Sequence, residues 1–207
     1  MFSEDLFSVH DNIVLIAYPS RFAEKDFFLS KIANVLDGFN DFIIIAIDDN
    51  NRLIEKNFSL HVLQVIGSGD ITDKEVNSIL DKVTHSIIFW DGEELNKFVH
   101  AVLCAKKPYK IIPVRTTKVA NKDRGDEFDV YIGRKGPWGN PYIIGRDGER
   151  AEVIEKYRDF FYKKILTDPA KKKALHKLKG MRLGCHCKPA ACHGDVIAEY
   201  LNTIESE

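Results

Sequence analysis

The sequence predicts an α/β protein in which a Rossmann-like, mostly parallel sheet of about five strands precedes a second, smaller α+β domain. Short apolar runs rich in Ile and Val recur through the first half, and they are continuous rather than alternating, which is typical of strands buried on both faces. Apolar residues with helical spacing, such as Phe28, Ile32 and Val35, lie between these runs. A polar stretch then separates this alternation from a second half of different character. The predicted strands are 12–17, 42–47, 61–66, 85–90 and 109–114.

The length of the chain favours two small domains or one large one. Its 207 residues exceed the usual domain of about 150. A content of 44% hydrophobic and 29% charged residues is that of a globular protein, which argues against disordered, fibrous and repeat architectures. We expect a Rossmann-like nucleotide-binding domain at 1–115, a polar linker at 116–127 and a small α+β domain with a Cys/His cluster at 128–207.

The charge is distributed unevenly along the chain. The net charge of −1 divides into −5 up to Arg115 and +4 from Thr116 onward. An acidic first half does not resemble a nucleic-acid footprint, whereas the basic second half suits contact with phosphate.

Neither membrane insertion nor secretion is expected from this sequence. The longest apolar run, 42–47, is far shorter than the roughly 18 residues of a spanning helix, and residues 1–5 are acidic where a secretory signal would be basic. Three of the four cysteines fall within eight positions, which indicates chemistry or metal binding in a reducing compartment. We expect a cytoplasmic protein with no membrane partner, and we also expect a homo-oligomer.

Polar or glycine-bearing loops follow four of the predicted strands. In a parallel sheet these loops meet at the carboxyl edge, where ligands bind at the point of reversed strand order. Glycines let backbone N–H groups approach an anion, a helix beginning near Thr72 offers its positive end, and an acid after the second strand suits ribose hydroxyls. The alternative is that Ser20, Asp48 and Asp73 cap helices and the glycines turn the chain. The candidate ligand-binding residues of this edge are Ser20, Arg21, Asp48, Gly67, Ser68, Gly69, Asp91 and Gly92.

The segment 65–73, V-I-G-S-G-D-I-T-D, together with A-K-K at 105–107, resembles the Rossmann-like nucleotide-sensing superfamily often called SLOG. The resemblance implies a nucleotide-derived ligand. Some members cleave N-glycosidic bonds of nucleoside monophosphates and carry a P-G-G-x-G-T-x-x-E signature, which this chain lacks, so the resemblance implies binding more than hydrolysis. The chain also lacks G-x-G-x-x-G after the first strand and G-x-x-x-x-G-K-[ST] anywhere, which removes the usual support for dinucleotide binding and P-loop hydrolysis.

The segment 181–195 indicates a strand, a tight loop and the start of a helix. On an extended strand Cys185 and Cys187 share a face, and Cys192 and His193 follow at the first turn of the closing helix, so three thiols and an imidazole converge. Zinc in proteins takes about four sulfur and nitrogen ligands. Cys185, Cys187, Cys192 and His193 are therefore candidate ligands, and zinc is the candidate cofactor, although the spacing is not that of common zinc fingers.

The same cysteines allow two other interpretations. Cys192 at a helix N-terminus, close to Lys188 and His193, would have a depressed pKa and act as a nucleophile. In this hypothesis the catalytic residues are Cys192, His193 and Asp195. The remaining alternative is that the cysteines are small apolar residues at a tight strand-to-helix packing.

The second half also resembles an uncharacterised domain family of bacteria and phages. Its pattern is V-Y-I-G-R, W-G-N-P, I-G-R-D-G, C-x-C and C-H-G-D, which stand here at 130–134, 138–141, 144–148, 185–187 and 192–195. The resemblance implies no particular activity. An aromatic face beside guanidinium groups suits a base or sugar stacked above a phosphate. We therefore predict ligand binding by Arg134, Trp138, Asn140 and Arg146. We also expect Trp138 to be exposed, which together with the positive charge of this half favours contact with nucleic acid.

Three functional hypotheses remain open. The first is a nucleotide-handling protein that binds, and sequesters or processes, a nucleotide or nucleotide-derived signal. The second is a nucleic-acid-associated, zinc-stabilised module that uses basic residues such as Lys135 and Arg150. The third is a thiol-dependent enzyme centred on Cys192. The sequence leaves open whether the protein catalyses a reaction or only binds.

Overall fold

The computed structural model describes residues 12–205, so the acidic start at 1–5 lies outside the described residues. The chain divides into two compact units, which we call unit 1 (Met1–Arg115 with Glu205–Glu207) and unit 2 (Thr116–Ile204). Unit 1 contains a five-stranded parallel sheet and unit 2 a smaller three-stranded parallel sheet, both combined with helices. The predicted α/β fold class is confirmed.

In unit 1 strands and helices alternate, as the apolar runs predict. The sheet has the order β3-β2-β1-β4-β5, and all its neighbouring strands are parallel. The strand order reverses between β1 and β4, which marks that point as the expected ligand crevice. The elements are β1 (Ile13–Ala17), α1 (Lys25–Leu36), β2 (Ile43–Ile47), α2 (Leu53–Phe58), β3 (Val62–Ile66), α3 (Asp73–Lys82), β4 (His85–Trp90), α4 (Asn96–Cys104) and β5 (Tyr109–Pro113).

Both faces of this sheet are covered, which explains the continuous apolar runs. Ile13 and Leu15 of β1 pack in a cluster with α3 and α4, whereas Val14 and Ile16 pack in a second cluster with α1 and α2. Because successive side chains of a strand point to opposite faces, every position of a central strand must be apolar. β1 and β2 accordingly are buried at each of their positions.

Unit 2 is built around a sheet with the order β6-β8-β7, whose strands are all parallel. Its core gathers apolar side chains from this sheet, from α5 and from α7. A π-helical turn, Phe161–Ile165, extends α5 and keeps Phe161 and Ile165 in that core. The elements are β6 (Lys118–Asn121), β7 (Val130–Tyr131), α5 (Arg150–Phe160), α6 (Pro169–His176), β8 (Arg182–Cys185) and α7 (His193–Asn202).

Part of the segment assigned to the linker at 116–127 forms regular structure. Residues 118–121 are strand β6, which pairs with β8 from Lys118↔Arg182 to Asn121↔Cys185, and a short 3-10 turn follows at Lys122–Arg124. The strand is four residues long and only partly apolar, and its partner lies about 60 positions further along the chain. Local periodicity therefore could not reveal it.

Within residues 12–205, none of the helices combines the length and apolar character needed to cross a membrane.

Candidate functional site

The loops after β1 and β4 meet across the point of reversed strand order. Ser20 donates its backbone N–H and its hydroxyl to the carboxylate of Glu94, with N···Oε2 2.7 Å and Oγ···Oε1 3.0 Å. Two donors of one residue thus converge on a single charged carboxylate. We call this arrangement the Ser20 fork.

A second fork of the same kind ties the loop after β2 to the loop after β3. Ser68 donates its backbone N–H to Asp48 over 2.8 Å, and its hydroxyl donates to the other oxygen of that carboxylate. The Asn51 side chain also donates to the backbone carbonyls of Ser20 and Phe22, at 3.2 and 2.8 Å. The four polar loops of the carboxyl edge are therefore linked in one row.

The structure does not place Ser20, Asp48 or Asp73 at the N-cap of α1, α2 or α3. The N-caps of α1, α2 and α3 are Glu24, Arg52 and Thr72. At α3 the Glu75 carboxylate accepts from the Thr72 N–H over 2.8 Å and from its hydroxyl, and these bonds hold the pKa of Glu75 below its ordinary value.

The other predicted residues of unit 1 lie around these forks. Asp91 accepts the backbone N–H groups of Glu93 and Glu94, both at 3.0 Å, and thereby shapes the turn that presents the Glu94 carboxylate. Gly92 in this turn has φ +87°, which glycine adopts without strain. Arg21 is half-buried. Gly67 and Gly69 line an open cleft of about 590 Å³ together with the acidic residues Asp70 and Glu75.

Two residues of this edge were missed at the sequence level. Glu94 was not singled out, although the acidic pair Glu93-Glu94 lies in the loop after a predicted strand end, which is a usable signal. Asp49 is 7% exposed and accepts from the Tyr18 hydroxyl and from the backbone N–H groups of Ile54 and Glu55, at 3.0 and 2.8 Å. Burial and the neighbouring Asp49 carboxylate raise the pKa of Tyr18 well above its ordinary value. Asp49 thus anchors the start of α2.

In unit 2 the end of β8 and the start of α7 bring three thiols together. Cys185 ends the central strand, Cys187 follows in the loop, and Cys192 is the N-cap of α7. The Sγ atoms of Cys185 and Cys192 are 3.5 Å apart, and the three sulfurs all lie within 4.8 Å of one another. These three residues could hold a metal ion.

Hydrogen bonds distinguish the two buried thiols. The hydrogen bond between the Cys185 and Cys192 sulfurs, together with the Cys187 backbone N–H that donates to Cys185 over 3.3 Å, lowers the pKa of Cys185. The same hydrogen bond to Cys185, together with burial, raises the pKa of Cys192. The pKa of the proposed nucleophile Cys192 is thus shifted upward, opposite to the depressed pKa that the sequence predicts.

The side chains of His193 and Asp195 make hydrogen bonds to groups other than the thiols. The Nε2–H of His193 donates to the Ile132 carbonyl over 2.8 Å, and burial lowers the pKa of this imidazole. Asp195 accepts from the Cys192 backbone N–H at 2.9 Å and from Lys188 Nζ at 2.5 Å. The structure thus groups Cys185, Cys187 and Cys192 as candidate ligands and leaves His193 outside that group.

The three thiols line a pocket of about 450 Å³ whose wall is cationic. Arg134, Lys135 and Arg150 line it, and Arg150 donates to the Ala191 carbonyl over 3.2 Å. Among the described residues that line this pocket there is no Asp or Glu. His193 also lines this pocket, as do the apolar and aromatic residues Tyr131, Tyr142, Ile144, Val153 and Ile154.

The other predicted ligand-binding residues of unit 2 have different positions. The expectation of an exposed Trp138 is wrong: it is 6% exposed and packs in the core, where Tyr157 donates to its carbonyl at 2.7 Å. A Cβ on Gly139 would lie 2.5 Å from Arg134 Cα, so the W-G-N-P turn requires glycine there. Asn140 lines the pocket but uses its side chain to bond the Val153 carbonyl and the Tyr142 N–H.

Arg146 is paired with its neighbour rather than placed at the pocket. Its guanidinium donates to Asp147 over 2.9 Å on an exposed turn, which holds the pKa of that carboxyl below its ordinary value. Sequence reasoning also missed His186, which lies between Asp123 and the Tyr131 hydroxyl at 2.8 Å from each and lines the pocket.

Comparison with known proteins assigns families to both halves of the chain. Residues 11–120 match the model of the minimal SLOG domain, and residues 115–203 match that of a domain of unknown function, DUF4326. The SLOG family is associated with nucleotide-related functions.

Two individual proteins show weaker or narrower similarity. An uncharacterized 12.4 kDa protein from the nrdA-td intergenic region of Enterobacteria phage T4 is 44% identical over 91 residues, which are 44% of this chain and 82% of that protein. The crystal structure of a candidate NADPH:quinone reductase from Bacillus thuringiensis has a TM-score of 0.31 at 17% identity, covering 52% of this chain and 39% of that one. The family matches, which account for most of the described residues, are the stronger finding: the chain belongs to the minimal SLOG domain family and carries a DUF4326 domain after it.

Proposed function

We propose that unit 1 binds a nucleotide or nucleotide-derived signal at the carboxyl edge of its sheet, between the loops after β1 and β4. The observation that carries the proposal is the Ser20 fork in a SLOG domain, at the point where the strand order reverses. Ligands of open parallel sheets bind in that crevice.

The Glu94 carboxylate supports this proposal because it is a negatively charged group of the protein itself that accepts both Ser20 hydrogen bonds. A phosphate oxygen has the same requirement for N–H and O–H donors, and its bonds to them are charge-assisted. In the proposed complex the ligand phosphate takes the Ser20 donors and Glu94 moves out. The Asp48 carboxylate on Ser68 is a second acidic group on the same edge, suited to ribose hydroxyls.

Binding is proposed in preference to hydrolysis because the chain lacks the P-G-G-x-G-T-x-x-E signature. Isothermal titration against mononucleotides, cyclic nucleotides and ADP-ribose tests the proposal, and we expect one member of this panel to bind. Absence of heat with all of them would contradict it. Recovery of the bound ligand unchanged after heat release separates sequestration from turnover.

Ser20→Ala is expected to weaken binding of the ligand identified in this way by about tenfold or more, because a hydrogen bond to an ionised group contributes about 1.5–3 kcal/mol. The dissociation constant from titration is the measurement. Ser30→Ala is the matched control, since that hydroxyl donates to the Phe27 carbonyl of its own helix. Equal losses in the two variants would contradict a role for the fork.

Glu94→Ala is expected to strengthen binding of the same ligand, by about threefold to tenfold, because the competing carboxylate and its repulsion of phosphate are removed. Asp81→Ala, at the last turn of α3, removes the same charge from an exposed position at the opposite edge of the sheet and serves as control. An unchanged or weaker affinity in Glu94→Ala would overturn the displacement step.

A further inference from the structure

The three thiols of unit 2 have the spacing that a single zinc ion requires. Zn–S bonds of about 2.3 Å in a tetrahedron separate two sulfurs by about 3.8 Å. The Sγ atoms of Cys185 and Cys192 are 3.5 Å apart, and Cys187 Sγ lies within 4.8 Å of both. Small side-chain movements therefore suffice to close all three around one ion. Thiolate ligands in a tetrahedral arrangement are typical of zinc, whereas iron–sulfur clusters use four cysteines.

The fourth coordination position has no protein ligand among the described residues. The group of ligand atoms that lie within 4.8 Å of one another contains the three sulfurs and neither ring nitrogen of His193. Structural zinc sites use four protein ligands, whereas sites that act on a bound molecule use three and keep one position open.

The pocket next to the three sulfurs has the charge that suits an anion. All three cysteines line the 450 Å³ pocket, together with Arg134, Lys135 and Arg150. No carboxylate is among the described lining residues, so inside the pocket the positive charge of this wall is opposed only by the cysteine sulfurs. The apolar side of the pocket leaves room for an organic group attached to the anion.

From these three observations we infer that Cys185, Cys187 and Cys192 bind zinc and that its fourth position takes an oxygen of a phosphate-bearing small molecule held by Arg134 and Lys135. On metal binding each protonated thiol releases its proton to solvent as the Zn–S bond forms. This site lies wholly in unit 2, so it stands independently of the ligand proposed for unit 1.

Metal analysis of the full chain tests the first half of the inference. The chain is stripped with a chelator, reloaded and measured by elemental mass spectrometry, and we expect one zinc per chain. Cys187→Ser, at the half-buried ligand, is expected to lower zinc affinity by more than about a hundredfold, since even outer partners of ligands contribute 10–100-fold. Cys104→Ser, an exposed thiol of unit 1, and His193→Gln are expected to retain full affinity.

Cobalt substitution tests the open position, because the visible spectrum of Co²⁺ responds to its ligands and reports on this site alone. Inorganic phosphate is expected to shift the spectrum of the cobalt-loaded protein, and Arg134→Gln is expected to raise the phosphate concentration required by about threefold to tenfold. Circular dichroism of each variant checks folding. Comparison of the wild-type chain with and without bound metal tests the site without any substitution.

Several results would overturn the inference. One is a folded wild-type chain that binds no zinc, and another is preferential retention of copper or iron. Loss of zinc in His193→Gln would show that His193 is a fourth protein ligand of the ion. A cobalt spectrum that phosphate leaves unchanged would remove the open position.

Discussion

Asp49→Ala is expected to lower the free energy of unfolding of unit 1 by about 3–4 kcal/mol, since each buried donor left without an acceptor costs about 1–3 kcal/mol. The carboxylate accepts three hydrogen bonds, from the Tyr18 hydroxyl and from the backbone N–H groups of Ile54 and Glu55 in the first turn of α2. Alanine removes all three acceptor contacts from a site that water barely reaches.

Urea unfolding followed by tryptophan fluorescence measures this loss. The two tryptophans fall one in each unit, Trp90 and Trp138, so a Trp138→Phe background makes the signal specific for unit 1. Asp81→Ala, on the surface of α3, is expected to change stability by less than about 0.5 kcal/mol. Coinciding midpoints for the two alanine variants would refute the role given to Asp49.

Asn202→Leu is expected to lower the free energy of unfolding of unit 2 by about 2–4 kcal/mol. The side chain accepts from the Thr117 N–H at 2.7 Å and donates to the Thr117 carbonyl at 3.1 Å. Asn202 is 5% exposed and Thr117 fully buried, so leucine, which has the same branched shape but no polar atoms, leaves both backbone groups without a partner.

A Trp90→Phe background makes the fluorescence of Trp138 report on unit 2 alone in this experiment. Asn77→Leu, the same chemical change on an exposed position of α3, is the control and is expected to be nearly neutral. A loss below about 1 kcal/mol in Asn202→Leu would show that water satisfies Thr117 instead.

The strands of unit 1 were predictable because their burial is local and regular. Ile13 and Val14 face different clusters, and a strand buried on both faces leaves an unbroken apolar run in the sequence. β6 left no such signal, because Lys118–Asn121 obtains its place from a strand near the end of the chain.

The candidate sites were predictable to a different degree. Strand alternation suggested that Cys185 and Cys187 approach each other; their sulfurs are close, although Cys187 lies in the loop after β8 rather than on the strand. Cys192 joins them as the N-cap of α7. The position of His193 depends on the carbonyl of Ile132, which follows β7 in another part of the chain. Aromatic residues such as Trp138 occur both in hydrophobic cores and in binding sites, so the residue type alone did not predict whether Trp138 is buried.

The placement of β8 in the middle of its sheet has a consequence for biosynthesis. The strand is the last of the three to emerge from the ribosome, and both β6 and β7 pair with it rather than with each other. The unit 1 strands are complete at Pro113, so that half has all its sheet partners while translation continues. The sheet of unit 2 cannot form until Cys185 has been synthesised. A nascent chain released earlier would leave β6 and β7 without a pairing strand and therefore prone to aggregation.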